Sequence, residues 1–190
     1  MNTSDRRIRK TKKALREALA KLLTEKELHA ITVQELAEEA AIHRGTFYAH
    51  YQDVYDLFRQ IENSVIEELT ELMGSDEEYT CEGLYTALVN YIADNAKLCK
   101  AFFEKGNYSF QKRIALWLES AYLKSWEDEN PGLQRNERMN YLAAYHIQGL
   151  ISLIGRWVET DFAMPKSEVI RLLHDVDYHI DGLFVEKEAN

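Results

Sequence analysis

Apolar residues recur at intervals of three and four along most of this chain, and that spacing limits the folds open to it. The clearest example is a C-terminal stripe formed by Val169, Leu172, Leu173, Val176, Ile180, Leu183 and Phe184. Such intervals place side chains on one face of an α-helix, and no run of β-branched residues alternates with the period of two that a strand requires. The sequence predicts an all-α fold.

Four turn signals divide the helical pattern. They lie at Gly74-Ser75-Asp76, Gly106-Asn107, Asn130-Pro131-Gly132 and Met164-Pro165. Glycine, asparagine and proline commonly end helices at such positions. The pattern predicts about nine helices. Three form a head over residues 1–52, a connecting helix follows over residues 53–73, and further helices complete a C-terminal bundle over residues 53–190.

The composition is typical of a globular protein that never enters a membrane. Mean hydropathy is −0.42 and 29% of the residues are charged. No apolar run reaches the ~18 residues that a membrane span needs. The N-terminal segment MNTSDRRIRK lacks the hydrophobic stretch of a secretion signal. We therefore expect a cytoplasmic protein with no membrane partner.

The sequence contains no pattern typical of catalysis or of metal binding. Cys81 and Cys99 are too few for a disulfide framework, and neither has a second ligand at zinc-binding spacing. The six histidines show no metal-binding spacing, and no glycine-rich phosphate loop occurs. We expect buried thiols, no metal, no cofactor and no enzymatic activity.

Charge is distributed unevenly along the chain. The net charge is −9, yet residues 1–16 contain seven basic side chains and one acidic one. Residues 61–190 contain 12 basic and 23 acidic side chains. This separation indicates a basic arm that seeks phosphates on a body that repels them. A solvated chain terminus is the alternative interpretation, and charge alone does not decide between the two.

Residues 31–58, ITVQELAEEAAIHRGTFYAHYQDVYDLF, carry the strongest local signals. Thr32 and Glu35 have the spacing of a capping box, and Ile31 and Leu36 have that of a hydrophobic staple. These signals predict a helix that begins at Thr32 and runs through Ala40.

A second short helix is predicted over residues 43–50, after a turn at Ala41-Ile42. Phe47 would close the core between the two helices, and this arrangement is typical of a helix-turn-helix unit. The outer face of the second helix carries polar groups that suit the major groove of DNA. This face comprises Arg44, Gly45, Thr46, Tyr48 and His50. In the alternative interpretation, Tyr48 packs against the following helix and His50 caps a helix end.

The basic N-terminal helix, the motif TVQELAEEAAIHRGTFYAHYQDVYDL and the helical remainder together resemble the TetR-type transcriptional regulators. The specific match covers about residues 8–58. It aligns Ala37, Ala40, Arg44, Gly45, Thr46, Phe47, Tyr48 and His50 with the family motif. The resemblance implies a dimeric, sequence-specific DNA-binding regulator, usually a repressor, that reads a palindromic double-stranded operator. Residues 1–52 would bind DNA, and residues 53–190 would sense a small molecule and dimerise.

The candidate DNA contacts lie in three groups. They are Arg6, Arg7 and Lys10 in the basic arm, Thr32, Val33 and Gln34 at the start of the first motif helix, and His43, Arg44, Gly45, Thr46, Tyr48 and His50 in and around the second.

The chain departs from the family motif at three positions. Ala41 replaces the usual turn glycine, which costs about 1 kcal/mol if that residue is left-handed. His43 replaces the usual serine or threonine cap of the second helix. Val54 stands where members commonly have a lysine that contacts phosphate, so the salt dependence of binding should be shallower by about one unit per subunit.

Residues 141–155, YLAAYHIQGLISLIG, contain no charged side chain. A helix that is apolar on all sides must be buried on all sides. The rest of the chain can bury one face, and the other face needs a partner. Gly149, Ser152 and Gly155 would let a neighbouring helix approach closely. The pattern predicts a homodimer through residues 141–157 and 168–184, and the resemblance implies the same pairing. An internal core helix of a monomer is the alternative.

Aromatic residues are concentrated between positions 102 and 146, where a small-molecule pocket would lie. Trp117, Tyr145 and His146 are the candidate lining residues. Aromatic residues at helical spacing also suit a plain core, which is the alternative. The chain would then be a protein-interaction adaptor or a partner-dependent regulator without a small-molecule ligand. In agreement with that alternative, the body composition also resembles a TetR subgroup associated with dihydroxyacetone-kinase regulation, some of whose members work through protein partners.

Overall fold

The computed structural model describes residues 3–74, 81–104, 108–130 and 134–185. Every regular element in these ranges is helical, which confirms the all-α prediction. The nine α-helices of the described chain are α1 (Thr3–Glu25), α2 (Val33–Glu39), α3 (Arg44–Tyr48), α4 (Val54–Gly74), α5 (Cys81–Asp94), α6 (Ala96–Glu104), α7 (Tyr108–Glu129), α8 (Glu137–Glu159) and α9 (Lys166–Val185), with a 3₁₀ turn at Leu28–Ala30. None of the described helices is long and apolar enough to cross a membrane.

The predicted turns agree with the helix ends wherever the chain is described. The turn at Met164-Pro165 lies between α8 and α9, and α4 ends at Gly74. Ser75-Asp76, Gly106-Asn107 and Pro131-Gly132 lie outside the described residues. The break at Asn95 was not predicted, because it separates α5 from α6 without a glycine or a proline.

Contacts divide the chain into two compact units. The first comprises Met1–Val65 and Asn95–Asn107, and the second comprises Ile66–Asp94 and Tyr108–Asn190. Helix α4 runs through both units. The first unit therefore extends past residue 52, where the sequence suggested a boundary, and it includes α6 from the C-terminal half of the chain.

The first unit is built by packing α1 against α2 and α6. Leu15, Leu19, Leu36 and Phe47 are fully buried in it. Each such burial contributes about 1.5–3 kcal/mol relative to exposure. Helix α6 joins through a contact between the rings of Phe58 and Phe102, whose centroids are 5.4 Å apart. These contacts hold α2 and α3 on a packed base.

The α1–α6 boundary also contains one cysteine and one polar link. The Arg16 guanidinium donates to Asn95 Oδ1 at 3.3 Å. Cys99 is a buried free thiol, as expected. Burial raises the pKa of this thiol to about 12, while Arg16 lowers the pKa in part. The side chain of Cys81 lies outside the described residues.

The second unit packs α8 against α7 and α9, and α5 against α9. One side of α8 is buried, from Met139 to Val158. Asn136 caps its first turn by accepting from the Met139 amide at 3.0 Å. The indole N–H of Trp157 donates to the Met164 carbonyl at 2.8 Å, which fixes the connection to α9.

Candidate nucleic-acid interface

The start of α2 is held by the predicted capping box. The Thr32 hydroxyl accepts from the Glu35 amide at 3.3 Å, and the Glu35 carboxylate accepts from the Thr32 amide at 2.9 Å. Ile31 and Leu36 are both buried beneath this turn, as the staple spacing predicts. The prediction of a helix start at Thr32 is confirmed.

Glu35 also forms an ion pair with Lys26 of the segment that follows α1. The Lys26 hydrogen bond, followed by those from Thr32, lowers the pKa of Glu35 to about 2. A second ion pair joins α1 to α2, since Lys21 Nζ lies 2.8 Å from Glu39 Oε2. Both pairs are exposed or half-exposed, so each contributes little beyond fixing the direction of α2.

The hydrogen bonds at this turn limit what the candidate contacts can do. The Thr32 hydroxyl donates to Glu35 Oε2 at 2.8 Å, so its proton is already used. The Gln34 side chain is exposed and donates to Glu38 Oε1 at 2.9 Å. Val33 is half-buried. The Thr32 hydroxyl therefore organises the turn, while the backbone amides at the start of the helix remain suited to a phosphate.

The turn between α2 and α3 contains a left-handed alanine. Ala41 has φ 52°, which lies in the left-handed region that a turn glycine usually occupies. The Ile42 amide donates to the Ala37 carbonyl at 2.9 Å, the bond that closes a helix end of this type. The Cβ of Ala41 costs about 1 kcal/mol in this conformation.

Helix α3 is short and divides cleanly into an inner and an outer side. It spans Arg44–Tyr48, so it is shorter than the predicted 43–50, and His43 is its N-cap residue with no side-chain capping bond. Phe47 is fully buried and packs edge-on to the Tyr48 ring, with centroids 5.5 Å apart. The exposed side contains the candidate contacts. His43, Arg44, Gly45 and Tyr48 are exposed, and Thr46 and His50 are half-buried.

The exposure of α3 leaves its polar side chains accessible to a partner. Tyr48 is 53% exposed, so its side chain is not buried against the following helix. A Cβ added at Gly45 would meet no atom within 4 Å, so the surface there is open. The His50 ring lies near the Tyr51 ring, with centroids 6.3 Å apart, and the C-cap residue of α3 is Ala49.

Arg6, Arg7 and Lys10 lie on the first turns of α1. All three are exposed, and the first buried residue of α1 is Leu15. No side chain from residue 5 to residue 14 is buried, so these basic residues lie on a part of α1 outside the core.

The start of α4 carries a second capping arrangement that the sequence reasoning missed. The Asp56 amide donates to Asp53 Oδ1 at 2.7 Å, and the Gln52 amide donates to Asp56 Oδ2 at 2.9 Å. The Gln52 bond lowers the pKa of Asp56. Val54 is buried. The D-x-x-D spacing was the available signal, and it places two carboxylates close to Val54, the position at which the resemblance implies a lysine.

The uncharged helix predicted for dimerisation has one covered side and one exposed side. On α8, Tyr141 is 71% exposed and Tyr145 is 75% exposed, and Gly149 and Ser152 are exposed beyond them. On α9, Leu172 and Val176 are also exposed. We call these six residues the α8–α9 surface. Because this side is open, α8 is not an internal core helix.

The three candidate pocket residues differ in exposure. His146 is only 3% exposed, whereas its neighbour Tyr145 belongs to the α8–α9 surface. Successive helical residues point about 100° apart, which explains the separation. Trp117 is half-buried on α7. Tyr145 therefore lines no interior site of its own chain.

A buried polar cluster surrounds His146 instead. Tyr85 Oη lies 2.7 Å from His146 Nε2 and donates to Asp177 Oδ1 at 2.7 Å. His146 Nε2 lies 3.2 Å from Asp177 Oδ1. The sequence reasoning missed Tyr85 and Asp177. The signal for Asp177 was its position four residues after Leu173, which places a carboxylate on the buried stripe of α9.

Comparisons with known proteins identify the family. A family model described as a transcriptional regulator C-terminal region matches residues 79–176, more than half of the chain. A second model, for bacterial regulatory proteins of the tetR family, matches residues 15–61. The chain belongs to the TetR family of transcriptional regulators. This confirms the resemblance seen in residues 8–58. Members of the TetR family bind DNA and are not enzymes.

Several known proteins are similar to this chain in fold or in part of its sequence. The dihydroxyacetone kinase operon activator DhaS has 16% sequence identity and a TM-score of 0.67, over 92% of this chain and 96% of its own. A TetR regulator from Streptococcus agalactiae 2603V has 20% identity and a TM-score of 0.64, over 91% of this chain and 96% of its own. These likenesses show the fold alone.

A sequence relative from Bacillus subtilis (strain 168) is the uncharacterized HTH-type transcriptional regulator YxbF. It is 35% identical over 60 residues, which make up 32% of this chain. The match spans only 15% of the length of that relative.

Proposed function

We propose that the chain is a homodimeric repressor that binds a palindromic DNA operator through α3 and that a small molecule modulates this binding. The observation that carries the DNA contact is the division of α3 between a buried Phe47 and an exposed polar side. In this helix of five residues, Phe47 is the buried side chain that holds α3 to the core. Its remaining side chains are therefore available to a partner.

The exposed groups of α3 have the chemistry of base and phosphate recognition. Arg44 can pair with the two acceptors of a guanine edge or with a phosphate, and Gly45 lets the DNA approach the backbone. Tyr48 offers a hydroxyl and an aromatic edge. His43, Thr46 and His50 flank Arg44 and Tyr48 and would contact the neighbouring bases or phosphates.

Contacts to the phosphates would fix the register of α3 on the duplex. Arg6, Arg7 and Lys10 supply cations from the first turns of α1. Thr32, Val33 and Gln34 lie at the other end of the motif, where the capping bonds make Thr32 an organiser of the turn.

The α8–α9 surface supports pairing of two chains. It is apolar and aromatic, and exposed apolar patches of this kind are typical of protein interfaces. Pairing through residues 141–157 and 168–184 would bury it in a four-helix contact. A two-fold pair reads a palindrome when its two α3 helices are about one turn of DNA apart, ~34 Å.

Modulation by a small molecule follows from the same geometry. A ligand that binds better to one arrangement of the C-terminal helices shifts the population toward it, by as much as its difference in affinity allows. An arrangement with the wrong spacing of the two α3 helices would release the operator.

Fluorescence anisotropy with labelled DNA from the region upstream of the protein's own gene tests the proposal. We expect binding that resists competition by unrelated DNA and that weakens steeply as salt increases, because phosphate contacts release counterions. Binding that unrelated DNA abolishes at every salt concentration would contradict it.

The acidic start of α4 favours a second candidate function. Asp53 and Asp56 hold carboxylates beside the position where a phosphate-binding lysine is common. A chain with weakened DNA affinity would act as an adaptor or as a regulator that needs a protein partner. The same anisotropy experiment separates the two, since an adaptor shows no specific DNA binding on its own.

A further inference from the structure

The polar cluster of the second unit joins three helices in a buried position. Tyr85 comes from α5, His146 from α8 and Asp177 from α9. All three are buried, and Tyr122 of α7 covers the imidazole, with ring centroids 4.8 Å apart. Buried polar groups are costly unless every donor and acceptor finds a partner. The positions of the protons in the cluster therefore determine which of its groups lack a partner.

The geometry assigns the protons of the three groups. Tyr85 has one hydroxyl proton, and it is donated to Asp177 Oδ1. His146 Nε2 faces the same Tyr85 oxygen and the same carboxylate oxygen, so it must carry a proton to avoid facing two lone pairs. In the neutral imidazole, Nδ1 is then an acceptor without a proton. His146 Nδ1 is buried and has no hydrogen-bond partner in the described chain.

A second unpaired nitrogen lies beside the cluster. His174 Nε2 is buried and has no partner within the described ranges. The His174 ring packs edge-on against the Tyr85 ring, with centroids 5.6 Å apart. As a residue His174 is half-buried, and it precedes Asp177 by three positions on α9. Among Tyr85, Tyr122, His146, His174 and Asp177, His174 is the residue that is not fully buried.

We propose that Tyr85, His146, His174 and Asp177 form a binding site for a small uncharged molecule that carries hydroxyl groups. A hydroxyl both donates and accepts, so hydroxyl groups can satisfy a bare His146 Nδ1 and can satisfy His174 Nε2 in either tautomer. An anion is disfavoured by the Asp177 carboxylate.

This site gives a physical basis to the modulation proposed above, and its regulatory role rests on that proposal. The cluster links α8 to α9, the two helices whose opposite sides form the α8–α9 surface. Tyr145 directly precedes His146, and Val176 directly precedes Asp177. A ligand that changes the spacing of His146 and Asp177 therefore changes the surface through which two chains would pair.

Nitrogen-15 NMR of the imidazoles tests the site on the full chain without DNA. The probes are glycerol and erythritol, with glycerate as the anionic counterpart. We expect the His146 Nδ1 resonance to be that of a bare acceptor and to shift saturably with the two polyols but not with glycerate. Because no DNA is present, failure of the repressor proposal leaves this result unaffected.

His146→Gln separates the ligand anchor from the structural role. The glutamine amide can replace Nε2–H toward Tyr85 and Asp177 but provides no acceptor in place of Nδ1. We expect binding of glycerol, followed by the resonances of the other histidines, to weaken about tenfold. His179→Gln, on an exposed residue of α9, is the matched control and should bind normally. If His146→Gln does not fold, His174→Asn removes the second nitrogen at a half-buried position and should weaken binding similarly.

Two results would overturn the proposal. One is a His146 Nδ1 resonance that is hydrogen-bonded without probes and insensitive to both polyols, since bound water would then satisfy the nitrogen. The other is undiminished polyol binding in folded His146→Gln and His174→Asn.

Discussion

Tyr145 and His146 are adjacent in α8, yet the Tyr145 side chain is 75% exposed and the His146 side chain is 3% exposed. The helix thus divides an uncharged segment into an interior side, which holds the polar cluster, and an outer side without a cover. The division explains how a run of residues without charge serves both the core of one chain and, as we propose, the contact between two.

Glutamate in place of Gly149 should prevent pairing of the chains. Nothing lies within 4 Å of a Cβ at this position, so Gly149→Glu leaves the single chain intact but places a charge in the centre of the α8–α9 surface. We expect a folded monomer by analytical ultracentrifugation. Ser120→Glu, which adds the same charge to an exposed position of α7, should remain dimeric. A Gly149→Glu dimer would move the interface elsewhere.

Arg44→Ala and Tyr48→Ala should abolish specific DNA binding without destabilising the head, because both side chains are exposed. Phe47→Ala is the contrasting variant. It removes a fully buried ring and should lower the free energy of unfolding by about 3–5 kcal/mol. Anisotropy measures the binding, and urea denaturation measures the stability. Loss of stability in Arg44→Ala or Tyr48→Ala would show that the residue is structural.

The Glu35 capping box predicts a loss of stability in acid. The folded chain lowers the pKa of Glu35 from 4.5 to about 2. A lowered pKa stabilises the folded state above the unfolded pKa, and that stability is lost as the pH falls from about 4.5 through about 2. Thermal melts at a series of pH values should show a shallower acid loss in Glu35→Gln than in the unaltered chain. Glu27→Gln, at an exposed position outside the box, should leave the slope unchanged.

Glycine at position 41 should stabilise the head. Ala41 has φ 52°, where a Cβ is strained, and Gly relieves about 1 kcal/mol of strain while adding some entropy to the unfolded chain. We expect a net gain of a few tenths of a kcal/mol in the free energy of unfolding in urea. Ala49→Gly, at φ −72°, should instead destabilise. A destabilising Ala41→Gly would argue against a strained turn.

The sequence predicted local features well because their causes are local. The start of α2 depends on Thr32 and Glu35, which are three residues apart and form their bonds within one turn. The turn at Ala41 was also predictable, because the motif has a fixed length and Ala41 aligns with its usual turn glycine.

Long-range relationships were not predictable in the same way. The break at Asn95 has no helix-breaking residue, and the place of α6 depends on contacts with α1, which is some 80 residues away. Tyr85 and Asp177 are 92 positions apart and meet only through the packing of α5 against α9. Periodicity marked Asp177 as inward-facing but could not name its partner.

The proposed function requires that the exposed side of α3 reads base pairs in a two-fold molecule. Sequencing the genomic DNA fragments that the purified chain retains tests this claim most directly. We predict fragments that share an inverted repeat whose half-sites are centred about one helical turn apart, or a multiple of it, and that Arg44→Ala no longer retains. Fragments without a shared repeat, or the same set retained by Arg44→Ala, would contradict it.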